Sequence, residues 1–464
     1  MMCNFLAAGP SIAMLDITMD FFPGAHPGKN PRLFGTAVAK VAYFFTTTAL
    51  LQGIGNFIWV PIANKYGRRP TYVFSYVIYF ATAIWLSFEH SYGGFLAGRI
   101  LMGFGAGAAE TVAPITIADI FFLHERGAVM AFYSSFLAVG VALGLIISGL
   151  ITIHNHWRVI FQVAAALIGL VLLVAIFAFP ETAYTRTSPL TPPSSEDDDN
   201  NSSPAPSSSS EKGPATTTTT TTTTTKPPSS DAEQQQQPLP IPHKRPYLST
   251  LRLFPRGGAL TTEPLALLVL RPLGLITLPP VLWAALVEAS TIGFLVAMTS
   301  NVELAFSETY GFRSHQVGLC FVAAVVGSLL GIPAGGRLGD WVADGGTARA
   351  GGVRDPEHLN FAIVSGTNIC LVYVIDAYRP VAGEITLAVM GFKSLFGFLL
   401  SFYTNTWVAE AGYLNAYGTM AAISAAVLLC WIPLYVWGKK IRHVTWQWKV
   451  VSYIHWSDDR EVGE

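Results

Sequence analysis

Charge is what this chain has least of. Only 12% of its 464 residues are Asp, Glu, Lys or Arg, about half the share of an ordinary soluble domain. That scarcity excludes a water-facing surface over most of the length. The charges nearly cancel, at net −1, which excludes the basic footprint of a nucleic-acid binder. Cysteine is scarce too. Cys3, Cys320, Cys370 and Cys430 lie inside apolar runs without ligand spacing, so they read as buried thiols, not as a disulfide frame or a metal centre. No G-x-x-x-x-G-K-[ST] phosphate loop occurs and the histidines lack zinc-ligand spacing, which argues against direct ATP use and against a metal site. No catalytic constellation stands out, so neither an enzyme nor a cofactor is expected.

What fills the chain instead is apolar: 51% of residues are hydrophobic, and the mean hydropathy is +0.44 although a long polar insert dilutes it. A bilayer hides such surface, at about 20 mostly apolar residues per helical crossing. The first half offers spans at 2–22, 37–61, 71–88, 95–119, 128–152 and 157–179, and the second at 274–303, 315–336, 360–378, 385–407 and 414–437. The apolar start lacks a basic n-region and carries Asp16 and Asp20, so it reads as a membrane helix and not as a signal peptide. Between the halves, residues 183–250 are Ser, Pro, Thr and Gln clusters with an acidic run at Glu196–Asp199; such a segment has little to bury and is expected to be disordered. The domains are therefore an N-terminal six-helix bundle at 1–180, a cytosolic linker at 181–272, a C-terminal helical bundle at 273–438 and a cytosolic tail at 439–464.

Positive charge orients the chain. Lys65, Arg68 and Arg69 follow span two, Arg126 follows span four, and His243-Lys244-Arg245 precedes the second half; these loops are expected to be cytosolic, as are both termini. The second half then miscounts. Arg337, Arg349 and Arg354 on one side and Lys439, Lys440, Arg442 and Lys449 on the other enclose only three apolar stretches, and three crossings end on the wrong side. A span is missing, one is re-entrant, or the C-terminal charges break the rule, the first being the preferred reading.

Each half carries a charged loop after its second span, Ala63-Asn64-Lys65-Tyr66-Gly67-Arg68-Arg69 and Gly336-Arg337-Leu338-Gly339-Asp340-Trp341. Duplicated halves around a central site are a common plan of secondary transporters. With these loops, Arg99-x3-Gly103-x-Gly105 with Glu110, the run Ala118-Asp119-Ile120-Phe121-Phe122-x-His124-Glu125-Arg126-Gly127, Trp157-Arg158 and Pro180-Glu181-Thr182 resemble the fungal major facilitator superfamily, in the branch grouped with drug:proton antiporters and polyamine or multidrug carriers. Gly351-Gly352-x3-Pro356-Glu357 and Asp376-Ala377-Tyr378 are similar to the same branch. The resemblance implies an all-α membrane protein of two pseudo-symmetric bundles, with twelve spans where eleven are seen. It locates the missing ninth near Leu359-Asn360, about 35 residues short.

The resemblance implies a proton-coupled carrier of a small organic molecule, drug-like, secondary-metabolite or polyamine-like, working by alternating access with export favoured. Its partners are that molecule, the proton and the lipid bilayer, not nucleic acid. A monomer in the plasma membrane is expected, with the vacuole as the alternative. Proton-coupled uptake, or a non-transporting transceptor or degenerate paralogue if the span is truly absent, remain open.

Ionisable side chains inside hydrocarbon are costly and are functional candidates by default. Glu110 lies mid-span among small residues that let helices approach, and is a candidate to alternate between proton and cationic cargo. The family motif links an arginine at the place of Arg99 to proton coupling, but 11 residues separate it from Glu110, about 16 Å along a helix, so it needs another partner. Glu288, Asp16 and Lys393 complete the coupling candidates. Arg68, Arg69, Asp119, Glu125, Arg126, Arg337 and Asp340 are candidates for a charge network that is broken and remade as the halves rock. In the first loop Asn64 stands where the family motif has an aspartate. Gly140-x3-Gly144-x4-Gly149 resembles an antiporter motif without its proline, and glycine spacing alone is ordinary packing. Tyr43, Phe44, Phe45, Trp59, Phe294, Phe398 and Tyr403 are candidates to line an aromatic cavity.

Overall fold

Proline and glycine decide where the spans bend. In the computed structural model, residues 1–24, 31–121, 123–182, 264–335, 370, 373–375, 377–378 and 382–448 are described. The first span is not one helix. It runs as α1 (Met2–Ala8), a 3-10 segment (Gly9–Ala13) and α2 (Met14–Phe21), because Pro10 has no amide hydrogen to give and its ring crowds the preceding turn. Ser11 returns its hydroxyl to the Ala8 carbonyl at 2.7 Å, a side-chain repair of the kind that makes such breaks tolerable in a membrane.

The second span is α3 (Pro31–Ile54) continued by α4 (Asn56–Tyr66), longer at both ends than the expected 37–61. Gly67 then turns the chain at φ +107°, a conformation open to glycine at little steric cost. It leads into α5 (Arg68–Phe88), α6 (Tyr92–Ile120), α7 (Leu123–Ile151) and α8 (Val159–Ala178). All six first-half spans are present. Their core is aromatic toward the end opposite Arg68: Phe44 and Phe95 meet edge-on with centroids 4.8 Å apart, and Phe95 meets Trp157 at 5.5 Å. Such pairs contribute beyond their area, about 0.5–1.5 kcal/mol each.

The second half opens with α9 (Leu265–Leu275), so helix begins inside the stretch read as linker up to 272. Its apolar repeat buries Leu268 and Leu275. Then come α10 (Pro279–Tyr310), α11 (Ser314–Cys320), α12 (Val322–Gly335), α13 (Ala382–Ala411), α14 (Tyr413–Leu429) and α15 (Trp431–Trp446). The expected continuous span 315–336 is thus split at Phe321. The tail assigned to 439–464 is helical as far as Trp446, where Thr445 shares a buried hydrogen bond of 2.8 Å with Tyr378. Among the described residues nine helices are long and apolar enough to cross a membrane, against eleven expected. Most of 360–378, together with the junction proposed for the missing span, lies outside those residues, as does the linker from 183 to 263.

The halves meet along α3 and α13, and along α7 with α11 and α12. Small residues set the closeness of the first contact. A Cβ on Gly53 would collide with the Ser394 side chain, and, where α4 continues α3, one on Gly391 with the Phe57 ring. Toward the end carrying Arg68, Val60 and Ile115 pack on Leu387. Toward the other end, Ile12 and Leu145 pack on Val317, with Val302 and Phe306 beside them. The halves therefore touch on both sides of the middle.

Candidate functional site

A polar ladder runs up the contact between α3 and α6. Gly103 lets α6 press onto the Thr48 backbone, and Gly107 onto that of Gln52. Four-residue spacing on both helices puts Thr48, Gln52 and Asn56 on one face. At the top rung Thr48 donates to the Arg99 carbonyl at 3.2 Å; at the bottom, Thr111 donates to the Asn56 side chain at 2.8 Å.

The middle rung holds Glu110, buried at 7% exposure. Its Oε2 accepts from Gln52 Nε2 at 3.0 Å, and the same Gln52 amide nitrogen donates to Asn4 Oδ1 at 3.0 Å. Its Oε1 forms an ion pair with Lys393 of α13, itself buried. The Glu110 main-chain carbonyl accepts from the Tyr133 hydroxyl at 2.6 Å. Glu288 of α10 is buried within electrostatic reach of Lys393 and Glu110. One carboxylate thus pairs with the lysine at mid-span while a second lies within electrostatic reach, and the ion pair joins the first half to the second. Removing one partner of such a pair strands the other charge, at a cost of about 3–5 kcal/mol.

Arg99 stands apart from that site. Fully buried, its guanidinium donates to three main-chain carbonyls, Phe44 at 2.9 Å, Leu6 at 2.8 Å and Ala7 at 3.2 Å. It also stacks over the Phe45 ring at 5.2 Å. The partner required by the helix geometry is backbone, not a carboxylate. Asp16 is exposed and is not gathered with Glu110 either; it lies toward the end opposite Arg68, near Glu303.

At the Arg68 end, the guanidinium pairs with Asp119 at 3.1 Å and donates to Asn64 Oδ1 at 3.0 Å and the Ala63 carbonyl at 2.8 Å. Asn64 therefore serves as a neutral acceptor where the family motif has a charge. Arg69 does not join this pair; it donates to the Ile176 carbonyl at 2.6 Å. Glu181 accepts the freed amides of Arg68 and Arg69 at 2.9 and 3.1 Å, an anionic cap on α5. The side chains of Glu125 and Arg126 on α7, and all of Arg337 and Asp340, lie outside the described residues.

Of the aromatic candidates, Phe44 belongs to the first-half core, Trp59 gives its indole to the Phe104 carbonyl at 2.7 Å, and Tyr403 is exposed at 55%, so they do not form one cavity wall. Gly144 lies against the Phe5 backbone, which is the packing reading of the glycine motif. Sequence reasoning missed Gln52, Asn4 and Tyr133, because uncharged residues in apolar runs give no signal, and it missed the capping role of Glu181.

The sequence model of the Major Facilitator Superfamily matches residues 2–427. The chain is 23% identical to Protein HOL1 of Saccharomyces cerevisiae over 471 residues, covering 87% of this chain and 80% of the relative. It is 27% identical to Citrate exporter 1 of Aspergillus niger over 137 residues, 30% of this chain and 26% of the relative. Among solved structures, the partially occluded inward-open xylose transporter XylE from E. coli superposes with a TM-score of 0.52 at 13% identity, over 92% of this chain and 94% of that one. A helical fold with six spans in its first half, halves that meet around a buried ion pair, and a family match over nearly the whole length lead to one conclusion: the chain belongs to the Major Facilitator Superfamily, integral membrane transporters of small molecules and not enzymes.

Proposed function

We propose that the protein is a proton-coupled secondary transporter that moves a small organic molecule by alternating access, with export as the favoured direction. The observation that carries this reading is the Glu110–Lys393 pair, buried at mid-span and made across the two halves. A charge pair there holds the halves together until something neutralises one partner. A proton on Glu110 does so, and so does a cationic group that takes the place of Lys393. With Glu288 near the same lysine, the described site carries two carboxylates and one amine, an excess of negative charge suited to a drug-like or polyamine-like cation. Export is supported by the likeness to a citrate exporter over 137 residues. The plasma membrane, a single-chain unit and cytosolic termini are part of the same reading.

The test is accumulation of labelled spermidine and of a labelled lipophilic cation in cells, with and without an imposed pH gradient, for the wild type and Glu110→Gln. Extrusion that depends on the gradient in the wild type, and loses its pH dependence in the variant while membrane insertion is intact, is the expected result. Accumulation driven by the gradient replaces export with uptake. Kinetics across pH that are the same in both proteins remove Glu110 from the mechanism.

A further inference from the structure

Glu303 is a further buried carboxylate near the contact between the halves, and its surroundings differ from those of Glu110 and Glu288. It lies on α10, 4% exposed, toward the end of the molecule opposite Arg68. Its Oε2 accepts the Leu15 amide of α2 at 3.2 Å, and its Oε1 meets the Ser314 hydroxyl of α11 at 2.9 Å. The Leu15 amide is one of those freed where the first span breaks and α2 begins. A residue of the second half therefore closes a gap in the backbone of the first. Around this junction Ile12, Leu145 and Val317 are buried against Val302 and Phe306, which makes it a closed apolar seam.

No cation forms an ion pair with Glu303 among the described residues. Among the described residues Asp16, one residue beyond Leu15, is the charged group that acts on it, and Asp16 in turn feels His156. Arg313 and His315 flank Ser314 in the chain. A lone carboxylate shut away from water beside a like charge is costly. The neutral acid suits the same geometry: its carbonyl oxygen accepts the Leu15 amide, and its hydroxyl donates to the Ser314 oxygen, which can reverse its role by rotating.

We propose that Glu303 is a second proton-binding site, distinct from the Glu110–Lys393 pair, and that its protonation licenses closure of the seam between α2, α10 and α11. A proton from the adjoining aqueous phase binds the carboxylate before the seam shuts, and returns to that phase when the seam opens and water reaches Glu303. The sign follows: low pH favours the closed seam and high pH the open one. This inference does not depend on the role given to Glu110.

The experiment reads accessibility, not transport. In a full-length chain whose four native cysteines are replaced by alanine, Ile12→Cys is labelled in intact cells with a membrane-impermeant maleimide. Its rate is normalised to that of Asn155→Cys, an exposed position, to remove the pH dependence of the thiol. Val317→Cys serves as a second buried reporter should the first fail to fold. The normalised rate is expected to rise at least about five-fold between about pH 5.5 and about pH 8, and Glu303→Gln, a permanently neutral mimic, is expected to stay slow at both. Glu303→Asp keeps a carboxyl group and is expected to keep a pH response. A rise that persists in Glu303→Gln, a flat profile in the wild type, or a response abolished by His156→Gln overturns the proposal. Glu110→Gln is expected to leave the labelling profile unchanged, so failure here and failure of the transport reading are told apart.

Discussion

Two buried cations, Arg99 and Lys393, are stabilised in opposite ways. Arg99 sits within the first half, its guanidinium spread over three main-chain carbonyls of α1 and α3. Those partners are dipoles fixed by the fold; they neither titrate nor leave. Lys393 crosses from one half to the other and answers to a carboxylate, which a proton can silence. The difference separates a charge held by fixed dipoles from a charge held by a titratable group. Arginine suits the first task, since its rigid fork of donors matches several acceptors and it does not lose its proton. Lysine suits the second, as a compact point charge on a flexible stem.

The largest effect expected from breaking this contrast is at Lys393. Lys393→Ala strands the Glu110 carboxylate and is expected to lower stability by about 3–5 kcal/mol, read as a fall in the melting temperature of the purified protein. Combining Lys393→Met with Glu110→Gln removes both charges and is expected to recover most of that loss. A double variant as unstable as Lys393→Ala would mean that packing at α13, not charge, sets the stability there. A smaller effect is expected at Arg99. Arg99→Lys keeps the charge but not the fork, at a cost of about 1–3 kcal/mol, while the pH profile of transport stays where it was. A displaced profile would move Arg99 from the scaffold into the coupling machinery and dissolve the contrast.

The smallest effect is expected where a charge needs neither solution. Glu89, in the exposed turn after α5, is held down to about 2 by the Ser91 hydroxyl first, then by the Ser91 amide and the Trp85 indole. A carboxyl lowered from its ordinary 4.5 contributes above that value and loses its contribution as pH falls through about 2. In neutral solution Glu89→Gln is therefore expected to leave the melting temperature within error, because water screens the exposed group. Carboxyl titration by NMR checks the assignment; a midpoint near the ordinary value would remove the proposed hydrogen bonds.

The six spans of the first half were legible because long apolar runs between charged loops are the strongest signal a membrane chain gives. Glu110 and Lys393 were legible for the complementary reason, as charges in the middle of such runs. Their pairing was not. Residues 283 positions apart have no sequence spacing to connect them, and only the packing of α13 against α3 and α6 brings them together. The split first span was equally hidden, although Pro10 marked the place. Glu303 lay at the very end of an expected span, where a charge is ordinary, so nothing singled it out. Glu181 was visible as part of a motif, but its role emerges only once Gly67 turns the chain beneath it.

The close approach of α13 to α3 and its continuation α4, where Gly53 meets Ser394 and Gly391 meets Phe57, has a mechanical consequence. Lys393 lies between those two contacts, at a close crossing of the halves. When two rigid bodies rock about a crossing, the ends travel far and the crossing hardly at all. In the rocking motion of the proposed mechanism, the Glu110–Lys393 pair therefore has little leverage acting on it. In the proposed mechanism a proton or an incoming cation dissolves it, and the distant ends of the helices amplify that local event into a change of access.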